Sequence, residues 1–177
     1  MKQFMKVIIT AIVCTGIFAS PVFAQNNPTL TDPEIASVAV TANQIDINYA
    51  KIAKERSKNT EILQFAKTMN DDHTSIINQA VALVTKLQVT PKDNDVSRKL
   101  IADAERTIKM LRSAKDFDKA YANNEVVYHK AVIGTVENLL IPQSQNAELK
   151  KLLQDVVPPL KAHLAHAEMV QKMFVTK

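Results

Sequence analysis

Three histidines stand where helical periodicity expects apolar side chains. His73 is flanked one turn either way by Met69 and Ile77, and His163 falls in the stripe Val156, Leu160, His163, Leu164, Ala167, Val170. His129 shares a face with Asp118, Ala122, Glu125, Val132 and Val136, at spacings of three and four. Asp46 interrupts a run of Val38, Ala39, Ala42 and Tyr49 in the same way. Four amphipathic segments therefore each offer an inward-looking group that can carry a proton or a metal. Buried without partners, each would cost about 1–3 kcal/mol, more if charged. Neutral imidazole is the commonest ligand for zinc, copper and iron, and bundle interiors assemble such sites from facing helices. The set His73, His129 and His163, with Asp46, Asp118 or Glu125 as fourth ligand or supporting partner, would hold one divalent transition metal: zinc, copper or iron. The plainer alternative is a hydrogen-bonded core network of the same residues, with Asp46 or Asp118 partnering His73.

Other polar residues carry less. His166 lies toward the edge of its stripe, Asp71 and Asp72 read as a solvated edge, and Glu125 with His129 also fits an i, i+4 surface pair. The chain has no G-x-S-x-G, no H-E-x-x-H and no Gly-rich phosphate loop, so the common nucleophile, zinc-protease and nucleotide sites have no foothold. Ser75 is two residues from His73 and points to another helix face, which excludes that pair as nucleophile and base.

The elements that must position these groups follow from the same periodicity. One helix starts after Thr31-Asp32, with Pro33 in its first turn, and runs to about Arg56. A second restarts near Asn59 or Thr60 and ends before Val89-Thr90-Pro91-Lys92-Asp93-Asn94-Asp95. A shorter helix spans about Val96 to Leu111, with Leu100, Ile101, Ala104, Ile108 and Leu111 as its apolar side. Ser113 is the expected N-cap of a long helix that Pro142 closes near Leu140. The last covers about Asn146 to Phe174 and is interrupted by Pro158-Pro159. With two glycines and no tryptophan, the chain is too poor in turn residues for strands. The fold class is all-α: a four-helix bundle with a short extra helix in the crossover between the second and third long helices.

Residues 1–24 are expected to be a secretory signal peptide: Lys2 and Lys6, an apolar run from Val7 to Phe18, and a small-residue cleavage site ending at Ala24. Residues 25–177 would then form one domain. Cys14 leaves with the signal, excluding disulfides and thiolate chemistry from the mature protein. The two lysines leave as well, lowering the formal charge from +4 to +2, which gives no reason to expect nucleic acid as a partner. No later stretch reaches membrane-spanning length. A partner in the cell envelope, or a second copy of the chain, is compatible with this address, which is periplasmic, with outer-membrane association as its variant.

An ordered set of short motifs resembles a known family. These are Asp46-Ile-Asn-Tyr-Ala-Lys-Ile-Ala53, Phe65-Ala-Lys-Thr-Met69 with Asp72-His73, Phe117-Asp118-x-x-Tyr121, His129, and Pro159-Leu160-x-x-His163-Leu164-x-x-Ala167. Over about residues 33 to 174 the chain is similar to the exported bacterial family called domain of unknown function 4142, grouped with ferritin-like bundles and labelled as outer-membrane proteins. The resemblance implies a ferritin-like bundle, an exported address, and His73, His129 and His163 as the recurrent polar positions. It implies no activity. It also departs from di-iron ferritin-like proteins, which place a Glu-x-x-His on each of two helices. Here Asn70 precedes His73 and Leu160 precedes His163 at that spacing. The sequence thus leads to a non-catalytic, stress-related envelope protein with an internal His/carboxylate cluster; the alternative is a metal-binding protein or metalloenzyme with a mononuclear site.

Overall fold

The computed structural model describes residues 28–174, so the expected signal peptide lies outside the described residues. Among them every regular element is helical: α1 (Asp32–Arg56), α2 (Thr60–Lys86), α3 (Asp95–Ser113), α4 (Phe117–Thr135), α5 (Ile141–Gln143), α6 (Ala147–Asp155) and α7 (Val157–Lys172). A π-helical turn, Val136–Leu140, joins α4 to α5. α1 packs along α2 and α4 along α7, and the two pairs face each other as the expected four-helix bundle. α3 is the additional helix of the crossover; at 19 residues it equals α4 in length, and it lies against α1 with a lighter contact to α4.

Polar side chains fix where the helices begin. Asn59, Asn94 and Asn146 each accept two backbone N–H groups of the following turn, at 2.9–3.3 Å. Thr31 caps α1 differently, donating its backbone N–H and its hydroxyl to Glu34 Oε2 at 2.9 and 2.7 Å. Asp32 accepts from the N–H groups of Gln145 and Asn146 at 2.9 and 2.8 Å, and Asn94 Nδ2 donates to the Glu34 carbonyl at 3.1 Å. The starts of α1, α3 and α6 are thereby laced together at one end of the bundle, which sets their register.

Two boundaries differ from the sequence expectation. Ser113 is the last residue of α3; its hydroxyl donates back to the Lys109 and Met110 carbonyls at 3.0 and 3.1 Å. The cap of α4 is Asp116, which accepts from the Lys119 N–H at 3.3 Å, an ionised carboxylate being the better match for a helix N-terminus. Nor does the chain stop before Pro142. The π turn bonds the Ile141 N–H to the Val136 carbonyl, and this wider turn carries the proline, which has no N–H to bond and crowds a regular α turn. Pro158 and Pro159 interrupt the last helix at Val156 as expected, and they sit in the first turn of α7, where a missing N–H costs nothing.

The core has two apolar regions. One gathers Ile45, Tyr49, Phe65, Met69, Leu111, Tyr121, Val126 and Ala167; the other gathers Ile35, Val38, Ile133, Val136, Leu149, Leu153 and Leu160. Along α2, α4 and α7 the positions of His73, His129 and His163 fall between these regions, as a polar layer in the middle of the bundle. Among the described residues no helix is long and apolar enough to cross a membrane. Ile101, expected on the apolar side of α3, is exposed, because α3 is covered on one face only.

The lacing can be tested at Asn94. Asn94→Ala removes two capping bonds and the tie to α1, and should lower stability by about 1–2 kcal/mol in urea titrations while helix content stays constant. A loss of less than a few tenths of a kcal/mol would show that the register is set elsewhere.

Candidate metal centre

Four helices supply the polar layer. α1 contributes Asp46 and, one turn earlier, Asn43; α2 contributes His73 and Asp72; α4 contributes Glu125 and His129; α7 contributes His163. Exposure is 0% for Asp46, Glu125 and His129, 2% for His73 and 5% for His163, so water does not reach these groups freely. The ring centroids of His73, His129 and His163 lie 5.1–5.7 Å apart, and each ring offers a nitrogen within 4.8 Å of the others. Asp46, Glu125 and His129 form a second such group. Asp118 belongs to neither; it is half-buried in the first turn of α4, about 10 Å along the helix from Glu125. His166 also stands apart, edge-on against Phe65.

The orientation of the imidazoles is set from outside the cluster. His129 Nδ1 donates to the Glu125 carbonyl at 2.9 Å, and His163 Nε2 donates to Asp72 Oδ2 at 2.9 Å. A carbonyl and a carboxylate only accept, so both protons are placed. His73 Nδ1 lies 2.7 Å from Asn43 Oδ1; Asn43 Nδ2 donates to the Ala39 carbonyl at 2.8 Å, which turns its oxygen toward the ring and makes His73 Nδ1 the donor. In each neutral ring the proton is thus on the outer nitrogen. The inner nitrogens, His73 Nε2, His129 Nε2 and His163 Nδ1, carry bare lone pairs, and all three are buried with no hydrogen-bond partner among the described residues.

Asp46 faces the same lone pairs. Its Oδ2 is 3.1 Å from His73 Nε2 and 3.3 Å from His129 Nε2, and neither of its oxygens has an aligned hydrogen bond. Ligands about 2.0–2.1 Å from a tetrahedral ion stand about 3.3 Å from one another, close to these two spacings. The three inner nitrogens thus face one another across the layer, and Asp46 Oδ2 faces two of them, His73 Nε2 and His129 Nε2. Protons on the rings, a donating water or a cation would stabilise that arrangement.

Burial and charge act on each group in turn. Burial pushes His129 and His163 below the ordinary imidazole value, opposed by Asp46 for the first and by Asp72 for the second. Burial would push Asp46 up, but the positive charge of His73, His129 and His163 in their protonated forms outweighs it and holds its carboxyl below the usual range. Glu125 moves the other way: burial first and the Asp46 charge second hold it well above an ordinary glutamate, which favours its protonated form.

A cavity of about 280 Å³ adjoins the layer, with Asp46, His73 and His129 on its wall. Apart from these its inner wall is largely aliphatic, including Ala36, Ala80, Leu83, Val132, Leu153 and Leu160.

The sequence reading singles out five of the residues that meet here and adds Asp118, which the fold leaves elsewhere. It missed Asn43, whose one signal is a position one turn before Asp46 on the same face. It took Asp72 for a solvated edge; the residue is half exposed but spends one oxygen on orienting His163.

A helical bundle with a buried cluster of three imidazoles and carboxylates is the class of protein that fold and site define. The chain belongs to the family described as Domain of unknown function (DUF4142), whose profile matches residues 18–170. It is similar in fold to two solved structures, described as CopM in the Cu(II)-bound form and CopM in the apo form. Identity to both is 16%, with TM-scores of 0.63 and 0.64; each likeness covers 82% of this chain, and 99% and 98% of the respective CopM chains. No curated protein matches the chain in sequence.

The signs of these shifts fix the pH dependence of the metal-free protein. His129 and His163 have folded values below the unfolded one of about 6.5, so their contribution is present above that pH and is lost as pH falls. Glu125 has a raised folded value, so its contribution is present below about 4.5 and is lost as pH rises through that folded value. Urea midpoints measured from about pH 5 to pH 9 should fall at both ends, and Glu125→Gln should flatten the alkaline side alone. A Glu125→Gln curve parallel to the wild type above neutrality would contradict the buried, protonated carboxyl.

Proposed function

We propose that the protein binds one divalent transition-metal ion inside the bundle, through His73 Nε2, His129 Nε2 and His163 Nδ1, with Asp46 as fourth ligand. One observation carries this reading: three imidazole lone pairs face the same buried space, with the Asp46 carboxylate beside two of them, and each ring's other nitrogen is held by its own partner. Metal-bound histidines have that arrangement, because the outer hydrogen bond fixes the tautomer and leaves the inner nitrogen free to ligate. Asn43, the Glu125 carbonyl and Asp72 are the outer partners. Glu125, at 3.6 Å from His129 Nδ1, borders the site as a neutral acid rather than a ligand in this reading.

The donor set suits copper(II) or zinc better than magnesium or calcium, since nitrogen outnumbers oxygen. Copper(II) is the first ion to test: it is the tightest binder of such a set, and the similarly folded CopM is described in a Cu(II)-bound form. The bound ion would act as a Lewis acid or, with copper, accept an electron. The export signal expected over residues 1–24 supports reading this activity as an envelope one, where a binding protein would meet copper or zinc outside the cytoplasm.

The competing reading, a protonated His/Asp network without metal, is favoured by the same short Asp46 contacts, so the experiment must separate the two. Elemental analysis of untagged protein, incubated with copper, zinc or iron and desalted, should give about one equivalent of metal, lost in the double variant His73→Ala, His129→Ala. Asn43→Ala and Asp72→Ala, which touch only the outer nitrogens, should weaken binding by about 10–100-fold while leaving the stoichiometry intact. Metal absent from the wild type under all three ions would establish the proton network instead.

A further inference from the structure

The cavity beside the polar layer has a shape and chemistry that metal binding alone does not use. It holds about 280 Å³. Folded interiors are packed to crystal-like density and contain few voids larger than a water molecule. Here alanines stand where leucine or phenylalanine would close the space: Ala36 and Ala42 on α1, Ala80 on α2 and Ala104 on α3. Each is buried, so none is small for want of room at a surface. Val127, which also lines the cavity, is 67% exposed, and with Asp103 and Thr107 it marks a mouth between α3 and α4, where those helices touch only lightly. The space thus takes in the exposed Val127 with Asp103 and Thr107, the polar groups Asp46, His73 and His129, and an aliphatic wall on the side of Leu153 and Leu160.

We propose that this cavity takes a straight-chain monocarboxylate of about eight carbons, with its alkyl chain on the aliphatic wall and its carboxylate on the ion held by His73, His129 and His163. The headgroup end rests on the metal reading above; the tail end rests on the cavity alone. Size sets the chain length. A dry cavity of about 150 Å³ holds benzene, with its six heavy atoms, so this one has room for roughly eleven, close to octanoate. Charge sets the head. Two positive charges on the ion against the single Asp46 carboxylate leave a net positive site, which an anion neutralises. Asp103 at the mouth does not oppose entry, because Lys99 and Arg106 both pair with it. A bulky or branched body would meet the walls of α2 and α4, whereas an unbranched chain follows the helix axes.

The test uses cobalt(II) as the bound ion, because its visible spectrum reports a new oxygen ligand. Titration of the cobalt-loaded protein with butanoate, hexanoate, octanoate and dodecanoate should shift that spectrum. Affinity should rise about fourfold per added methylene up to octanoate and then level off. In Ala80→Phe, with helix content and cobalt content retained, octanoate should bind at least tenfold more weakly; if that variant does not fold, Ala80→Leu carries the same comparison. Affinity independent of chain length, or a chain-length gain that survives filling at Ala80, would overturn the proposal. If cobalt does not bind at all, the metal reading has failed and the headgroup assignment with it. The tail is then read on the metal-free protein with octan-1-ol. A higher thermal midpoint in the wild type but not in Ala80→Phe supports the alkyl site, and no rise in either removes it.

Discussion

The fold is organised around a carboxylate buried at the centre of the bundle. Asp46 sits on α1 at full burial, and a lone ionised carboxylate there would be prohibitively costly. Its nearest polar neighbours are imidazoles on two other helices, at 3.1 and 3.3 Å, with a third imidazole in electrostatic range from a fourth helix. The four helices must therefore meet at this one level, and an axial slip of one helix would separate Asp46 from the imidazoles around it. The apolar regions on either side tolerate repacking among Leu, Ile and Val. The polar layer does not, because the outer nitrogen of each imidazole has one partner at a fixed place. Register in this bundle is an electrostatic matter, and the lacing of Asp32, Asn94 and Asn146 at one end supports it from a distance.

That constraint explains what could be read from the sequence. The stripes of α1, α2, α4 and α7 were legible because burial imposes the helical period on them, and His73, His129, His163 and Asp46 were visible as breaks in that period. Glu125 was ambiguous by pattern, since an i, i+4 pair with His129 is as common on a surface; only packing against α1 places it inside. Asp118 lies seven residues earlier on the same α4 face, but that face leaves the polar layer before reaching it. Periodicity gives a residue's direction around a helix and says nothing about how far along the axis a neighbouring helix stays in contact. Asn43 escaped notice for a related reason: an amide serving a ring on another helix leaves no mark in its own stripe. The boundary at Ser113 failed because serine and aspartate three residues apart are both good caps, and the decision went to charge.

The position of the outer partners matters more for chemistry than the count of histidines. Three imidazoles with protons pointing inward would form a cationic nest that pairs with Asp46 and excludes metal. With protons pointing outward, to Asn43, the Glu125 carbonyl and Asp72, the same rings make a cluster of lone pairs that repels Asp46 until something positive enters. The Asn43–Ala39 hydrogen bond decides the case at His73, since it prevents the amide from turning its N–H₂ toward the ring. A backbone carbonyl decides it at His129 and the Asp72 carboxylate at His163. Three unlike devices on three helices enforce one tautomer pattern, which is the strongest reason to regard the cluster as a built site.

Replacing carboxylates by imidazoles also changes what a bundle interior can hold. A di-iron bundle balances two ions with four glutamates. Here one ionised carboxylate and neutral rings would balance half the charge of a single divalent ion, while burial favours a protonated Glu125 that stays out of the count. The metal-loaded site would therefore remain a cation in an apolar enclosure, unable to draw a counter-ion from bulk water. The aliphatic cavity that reaches this site from between α3 and α4 gives an anion a route to it. An anion with an alkyl tail enters that route more readily than chloride or phosphate, because its body gains from the same walls that exclude a hydrated ion. Site charge and cavity wall thus select for the same kind of molecule, although they arise from different residues: Asp46 and the histidines in one case, and the small side chains at Ala36, Ala42, Ala80 and Ala104 in the other.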